Sequence, residues 1–228
     1  VKSKGGATFK KQEDGSWLAS GKNPSGDVYE ISAPAQPGRL AGVLLEVFPD
    51  KSLPNQSLGR ASNGNFVLTG VQVAVHPPEG KPVVLNLKSA KSDYDQANWE
   101  VTKILKNAQN LNKAGSLGWA INGNEKNKRV PRKAMFLATE AVEVPKGAKL
   151  VVSLHHKSRY GDHNIGRFRL SQTADKGASL DGKPGLSPEI SSLLAKADED
   201  LKPAEKAKLE KHFTSTAPNP ASQAKNKV

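Results

Sequence analysis

Short apolar runs that alternate with turn residues occupy the first two-thirds of the chain. Val71, Val73 and Val75 share one parity, and this alternation predicts a strand with one buried face. The nearly continuous apolar run over residues 40–48 predicts a central strand that is buried on both faces. Many short strands between turn signals are typical of an all-β sandwich or barrel. Further strands are predicted at residues 8–10, 16–19, 28–31, 83–87, 118–121, 133–139, 149–155 and 165–171.

The pattern changes in two places. Residues 94–113 are polar and rich in asparagine, which predicts a loop with one helical turn. Beyond Gln172 the chain becomes rich in Gly, Pro and Ser, and Pro188 and Pro203 mark the starts of two helices, because the first helical turn tolerates proline. We therefore predict an all-β fold, an antiparallel jelly-roll β-sandwich, at residues 1–175. Residues 176–228 are predicted to form a linker with two short helices and a disordered tail.

Composition narrows the functional classes. No apolar run approaches the ~18 residues that a membrane-spanning helix requires. The absence of cysteine excludes disulfides, thiolate metal sites and cysteine nucleophiles. The sequence also lacks a Gly-x-Ser-x-Gly elbow, a Walker loop, a His-Glu-x-x-His motif and a Gly-x-Gly-x-x-Gly motif, and this favours a non-enzymatic function. The start at Val1, without Met or an apolar signal core, is interpreted as the start of a piece excised from a longer chain.

The positive charge is concentrated in one stretch of the chain. The net charge is +12, and residues 101–180 carry 15 Lys and Arg against 5 Asp and Glu, a net of +10. A concentrated positive field attracts polyanions such as nucleic acid, anionic lipid or an acidic polysaccharide. The alternative is a solvated basic face that serves solubility, and charge asymmetry alone does not separate the two.

A cluster of basic residues is the best local candidate for a polyanion contact. Residues 126–133 hold five Lys and Arg in eight positions, and Arg159 follows later beside Tyr160. Guanidinium groups pair bidentately with sulfate, phosphate or carboxylate. The predicted contacts are Arg129, Arg132, Lys133, Arg159 and Tyr160.

Aromatic and histidine side chains near loops add to this candidate site. Trp99, Trp119 and Tyr160 lie in or beside predicted loops, where flat rings suit stacking on a sugar; alternatively, the two tryptophans cap the core. His155 and His156 are adjacent, so a strand would point them to opposite faces. We take His156 as a candidate ligand contact, against the alternative that it begins a solvated loop.

The loop at residues 49–65 carries a set of oxygen ligands. Asp50, Asn63 and Asn65 offer the hard oxygens that Ca²⁺ prefers, and loops of this kind bind calcium in many β-sandwiches. The alternative is ordinary turn chemistry, in which Asn and Asp bond their own backbone. Calcium is therefore a candidate cofactor.

Several strings resemble a known family. NGNFVL at residues 63–68, GWAI at 118–121 and GRFRLS at 166–171 resemble a region of large exported planctomycete-type proteins that carry a cytochrome-c-like haem module. The resemblance covers roughly residues 7–213. It implies a galactose-binding-like jelly roll, related in fold to carbohydrate-binding modules, in an extracytoplasmic protein. The family's Cys-x-x-Cys-His motif is absent, so the resemblance implies no haem here.

These observations favour a non-catalytic module that binds polysaccharide, with acidic or sulfated polymers as the candidates, beside neighbouring domains of the same chain. The first alternative is a structural spacer that binds no sugar. Nucleic-acid binding fits the charge but matches no recognised motif. A polysaccharide lyase with Tyr160 and His163 as its base pair is a more remote alternative. Strand alternation further predicts that Phe168 is core and that Arg167 and Arg169 share the opposite face and are not primary ligand contacts.

Overall fold

The computed structural model describes residues 1–180, 188–194 and 196–216. Within this part the chain forms mostly antiparallel β-structure, and every pair of named strands is antiparallel. The strands are β1 (Lys2–Ser3), β2 (Ala7–Lys11), β3 (Trp17–Gly21), β4 (Asp27–Pro34), β5 (Gly38–Phe48), β6 (Gly70–His76), β7 (Val83–Val84), β8 (Leu87–Ser92), β9 (Arg132–Val144), β10 (Lys149–His156) and β11 (Arg167–Thr173).

The strands of the described residues form two sheets. The first has the order β1-β4-β10-β6-β7 and the second has the order β2-β3-β11-β5-β9-β8. Consecutive strands such as β3, β4, β5 and β6 fall in alternate sheets, as in a jelly roll. The predicted antiparallel sandwich is therefore confirmed.

One hydrophobic core lies between the sheets. Tyr29 and Leu154 enter it from the first sheet, and Leu45, Phe136 and Phe168 enter it from the second. Tyr29 also donates its hydroxyl to the Ile165 carbonyl at 3.0 Å, so the buried phenol is satisfied.

Strand β5 confirms the prediction from its continuous apolar run. It lies between β11 and β9, and most of its positions from Leu40 to Val47 are buried regardless of parity. In β11 the predicted alternation also holds, because Phe168 is fully buried whereas Arg167 and Arg169 lie on the other face. Phe48 departs from its expected core position: it is half-buried, below the guanidinium groups of Arg167 and Arg169.

The predicted strand at residues 118–121 and the stretch that leads into β6 are instead ordered loops. Residues 66–68 precede β6, and residues 118–121 form no strand. They meet in one isolated antiparallel bridge, in which Leu68 and Trp119 exchange backbone hydrogen bonds of 2.9 and 2.8 Å. A Cβ at Gly118 would lie 2.0 Å from the Leu68 carbonyl oxygen, so glycine is required for this close approach.

The helices are short. α1 (Lys103–Lys106) supplies the single turn expected in the polar stretch, and α2 (Pro188–Leu194) and α3 (Pro203–Thr216) each begin at the predicted proline. The chain divides into two compact units, Val1–Lys176 and Gly177–Val228, and the sandwich belongs to the first. Parts of the predicted linker, at 181–187, and of the predicted tail, from 217, lie outside the described residues.

Candidate functional site

The long loops of the sandwich gather at one end. They connect β3 to β4 (residues 22–26), β5 to β6 (49–69), β8 to β9 (93–131) and β10 to β11 (157–166). Strand register places them together, because His156 pairs with Asp27 and Arg167 pairs with Phe48. We call these four loops the loop end. Loops held by a rigid sandwich are a common position for binding residues.

Asn65 joins the two longest loops. Its side-chain oxygen accepts the backbone N–H groups of Ile121 and Gly123, both at 3.2 Å, and its amide donates to Gln96 Oε1 at 2.9 Å. Gln96 Oε1 also accepts the Asn122 N–H at 3.0 Å. Because Asn65 is only 6% exposed, these bonds satisfy polar groups that water does not reach.

A second set of amide contacts joins the remaining loops. Asn164 donates to Asn23 Oδ1 at 2.8 Å and to the Pro24 carbonyl at 2.9 Å. Asn23 donates in turn to the carbonyls of Arg60 and Asp162, both at 3.0 Å. The loop end is therefore connected by side-chain hydrogen bonds and not only by regular secondary structure.

Unfavourable backbone conformations are concentrated in the same place. Among the described residues, every non-glycine residue with positive φ lies in the loop end. Such conformations cost of order 1–3 kcal/mol each and persist only when surrounding contacts hold them. The residues are Asn55, Gln56, Asn98, Asn122 and Asp162.

Arg129 binds the protein's own backbone. Its Nε donates to the Gly123 carbonyl at 2.9 Å, its Nη1 to the Asn55 carbonyl at 3.0 Å and its Nη2 to the Asn124 carbonyl at 2.9 Å. Three of its five N–H donors therefore hold two loops together, and the predicted bidentate contact with an external anion stays a prediction that this geometry does not favour. The positive charge of Arg129 remains at the surface of those loops, because the residue is half-buried.

Arg132 and Lys133 do not form one patch with Arg129. Arg132 is only 8% exposed, donates to the Lys128 carbonyl at 3.2 Å and lies with its Cζ 4.5 Å from the Tyr94 ring centroid. Lys133 follows it on β9 and so points to the opposite face, where its Nζ lies 3.9 Å from Glu46 Oε1. Strand alternation thus separates two neighbours that the sequence had grouped.

A basic pocket lies between the loops. It has a volume of about 660 Å³ and is lined by Leu53, Asn55, Gln56, Lys126 and Arg129. The lining holds two cationic side chains, two amide side chains and no carboxylate. Lys126, Asn55 and Gln56 are exposed, so their polar ends are accessible to a ligand.

Tyr160 is the accessible ring of an aromatic row made by Trp99, Tyr160 and His163. Its ring centroid lies 5.6 Å from that of Trp99 and 5.6 Å from that of His163. Arg159 donates to the Tyr160 hydroxyl at 3.1 Å and lies over its ring at 5.1 Å. Tyr160 is 43% exposed, so one aromatic surface beside a guanidinium is available at the loop end.

The two tryptophans are not surface platforms. Trp119 is fully buried, packs edge-on against Phe66 with centroids 5.1 Å apart, and donates its indole N–H to the Tyr94 carbonyl at 2.9 Å. Trp99 is 7% exposed and forms a small apolar cluster with Val67 and Ala120. The prediction that these rings stack on a sugar is therefore wrong, and the alternative of core packing is correct for Trp119.

His156 is also a core residue. It is 2% exposed, lies 4.8 Å from Tyr29 between ring centroids, and its Nε2 accepts the Ile165 N–H at 3.4 Å. Burial, together with the neighbouring His155, lowers the pKa of His156 to about 3. It therefore neither contacts a surface ligand nor begins a solvated loop, because β10 continues through it.

The proposed calcium ligands are engaged elsewhere. Asp50 Oδ1 accepts from the Ser52 backbone and hydroxyl, and Asp50 Oδ2 lies 3.3 Å from Arg167 Nη1. Asn63 Oδ1 accepts the Asn65 N–H at 2.9 Å, which is the turn chemistry weighed as the alternative. In the described part of the chain no group of three His, Cys, Asp or Glu residues has a metal-binding arrangement. Calcium binding stays a prediction that this geometry does not support.

Little in the sequence marks Asn55, Gln56 and Lys126 as residues of one pocket. Asn55 and Gln56 occupy left-handed conformations that residue type alone does not reveal, although Asn adopts them more readily than most residues. Lys126 belongs to the predicted basic run, but only the tertiary structure separates it from Arg129 and Arg132, whose guanidinium groups hold the fold.

Comparisons with models of known protein families, with curated proteins and with solved structures found no match. The resemblance to exported planctomycete-type proteins therefore stays a prediction. None of the helices in the described ranges has the length and apolar character to cross a membrane.

The Arg129 contacts predict a loss of stability when the guanidinium group is replaced by an ammonium group of the same charge. We expect Arg129→Lys to lower the free energy of unfolding by about 2 kcal/mol, because an ammonium group cannot reach three carbonyls at once. Arg159→Lys is the matched control, with an expected loss below about 0.5 kcal/mol for an exposed contact. Urea unfolding measures both, and an equal loss in the two variants would contradict the structural role of Arg129.

Proposed function

We propose that this chain is a non-catalytic binding module of an exported multidomain protein, and that its loop end binds an acidic or sulfated polysaccharide. The observation that carries the proposal is the basic pocket, a concave surface with two cations and no carboxylate in its lining. Sulfate or carboxylate groups of a polymer would meet Lys126 and the charge of Arg129, and sugar hydroxyls would meet the amides of Asn55 and Gln56.

Two further features support this assignment. The basic excess of the chain is concentrated in residues 101–180, which supply most of the 93–131 loop and all of the 157–166 loop. A positive field of this kind raises the local concentration of a polyanion and speeds its association. Tyr160 adds an exposed ring with Arg159 beside it, which suits a sugar ring that carries an anionic group.

The structure changes which residues a binding test should target. Replacing Arg129 or Arg132 would disturb the fold, because their guanidinium groups bond protein carbonyls. Lys126 is exposed and lines the pocket, so Lys126→Ala removes one charge from the site with little structural consequence. Lys149 is an exposed lysine at the opposite end of β10 from the loop end, and Lys149→Ala is the matched control.

Affinity electrophoresis in gels with dextran or dextran sulfate tests the proposal, because the two polymers share one backbone. We expect retardation in dextran sulfate that weakens steeply with salt, because bound polyanions release condensed counterions. Lys126→Ala should weaken the affinity by roughly three- to tenfold, the scale of one charge contact, and Lys149→Ala should leave it unchanged. Equal weakening in both variants would indicate attraction by net charge alone. No retardation in either polymer would favour the spacer alternative.

A further inference from the structure

A side cleft opens between the two sheets, in their half that lies away from the loop end. It has a volume of about 300 Å³ and reaches the core residues Val152 and Phe168. Its walls come from the start of β3, the second half of β4, the first half of β10 and β11 from Phe168 onward. The lining residues are Gly15, Trp17, Ile31, Ala33, Pro34, Gln36, Leu150, Val152, Phe168, Leu170, Ser171 and Gln172.

The cleft exists because β3 and β1 each pair with only a short part of the neighbouring strand on this side. β3 pairs with β11 only at Arg167 and Phe168, since the chain turns back at Gly15. Leu170 and the residues after it therefore have no β3 partner. In the other sheet β1 pairs with β4 only at Tyr29 and Glu30. The interior is consequently reached from the side between these strands.

The walls of the side cleft keep large apolar groups in partial contact with water. Trp17, Ile31, Leu150 and Leu170 pack against the core but are only half-buried. Ala33 is exposed on the same wall. Burying such surface beneath a ligand is favourable in proportion to the apolar area that leaves water.

Charge is excluded from the side cleft. None of its lining residues is ionisable, although a quarter of the chain is Asp, Glu, Lys or Arg and the net charge is +12. At the mouth, the Gln36 N–H donates to Gln172 Oε1 at 3.3 Å, and Gln172 Nε2 donates to the Gln36 carbonyl at 3.4 Å. These long, exposed bonds offer amide groups to one polar end of a ligand.

We propose that the side cleft binds a neutral, largely apolar small molecule of one or two rings, with its polar end at Gln36 and Gln172. The volume is at the lower end of the range for small-molecule pockets, and flat walls from Trp17 and Phe168 suit a ring. The basic pocket, by contrast, selects for negative charge. This site is therefore separate from the polysaccharide site and independent of it.

Two fluorescent probes that differ by one charged group test this inference. N-phenylnaphthylamine is neutral, and anilinonaphthalene sulfonate is the same ring system with a sulfonate. We expect the wild-type chain to bind the neutral probe more tightly by at least about tenfold, because a sulfonate would lose its hydration against uncharged walls. A chain of net charge +12 that bound the probes only at its surface would prefer the sulfonate.

Neighbouring residues of β4 supply a matched pair of variants. Ala33→Leu fills the side cleft, whereas Ser32→Leu adds a leucine on the opposite face of the same strand. We expect Ala33→Leu to weaken the affinity for the neutral probe at least about tenfold without lowering the melting temperature. Ser32→Leu should leave this affinity unchanged. Gln172→Lys, a change at the mouth outside the core, should shift the preference toward the sulfonate.

Three results would overturn the proposal. The first is equal affinity of Ala33→Leu and the wild type for the neutral probe. The second is a wild-type preference for the sulfonated probe. The third is no fluorescence increase with the neutral probe. If Ala33→Leu does not fold, the Gln172→Lys comparison decides: an unchanged ratio of the two affinities would contradict binding at this mouth.

Discussion

The free energy of unfolding should fall by about 6 kcal/mol between pH 7 and pH 4, mostly through His155 and His156. Both are buried at the end of β10, and burial is the main cause that lowers the pKa of His155 to about 4 and that of His156 to about 3. Lys4 and Lys157 lower the pKa of His155 further, because their positive charges disfavour a protonated imidazole nearby.

The sign follows from proton binding. Below about pH 6.5 the unfolded chain binds a proton at each histidine, whereas the folded chain does not until the pH falls to about 4 at His155 and about 3 at His156. Stability is therefore greatest above pH 6.5 and is lost as the pH falls through the window between the unfolded and folded pKa values. Each histidine contributes about 1.4 kcal/mol per pH unit inside that window.

Urea unfolding between pH 4.5 and pH 7.5 measures this slope. We expect His155→Gln and His156→Gln each to remove about half of the acid-side loss, and the double variant to be nearly independent of pH in this range. Their stability at pH 7 is a separate quantity and does not enter the comparison. A double variant with the wild-type slope would show that other groups cause the acid sensitivity.

Removal of the Asn65 side chain should cost about 3 kcal/mol of unfolding free energy, because buried donors without acceptors keep their full desolvation penalty. Asn65→Ala leaves the N–H groups of Ile121 and Gly123 without their shared acceptor. It also removes the donor to Gln96. The two longest loops of the loop end would lose their common anchor.

Asn63→Ala is the matched control for this prediction. Asn63 stands two positions earlier, is exposed, and accepts a single local bond from the Asn65 N–H. We expect a loss of at most about 1 kcal/mol from that change, as for an exposed local hydrogen bond. Urea unfolding of both variants at pH 7 gives the comparison. Losses of similar size would mean that the bonds between the loops contribute no more than an ordinary turn.

The parts of the fold that sequence predicted best depend on parity or on local backbone chemistry. Phe168 and its neighbouring arginines were assigned to the correct faces of β11, because successive side chains of a strand alternate. Pro188 and Pro203 marked the first turns of α2 and α3, because proline fixes its own φ and lacks an N–H. These constraints act within a few residues, so a sequence displays them directly.

The candidate site was less predictable because a side chain's partner depends on loops that are distant in sequence. Arg129 was expected to bind an external anion, but one of its nitrogens bonds Asn55, which lies 74 positions away. For Trp119 the sequence left both sugar stacking and core packing open, and only the bridge to Leu68, which carries the ring into the core, decides between them. Composition reveals that such groups exist, and only the folded loops show what they contact.

The sequence by itself determined that the chain is an antiparallel β-sandwich, that β11 buries alternate residues whereas β5 is buried on both faces, and that the charge is concentrated in residues 101–180. The tertiary structure alone decided which cations remain accessible, since Lys126 lines a pocket whereas Arg132 is buried. It also decided where the sheets leave the side cleft, which follows from the lengths over which β1 and β3 pair with their neighbours. The physical reason is that alternation and net charge follow from the types and order of the residues, whereas the accessibility of a side chain depends on long-range packing.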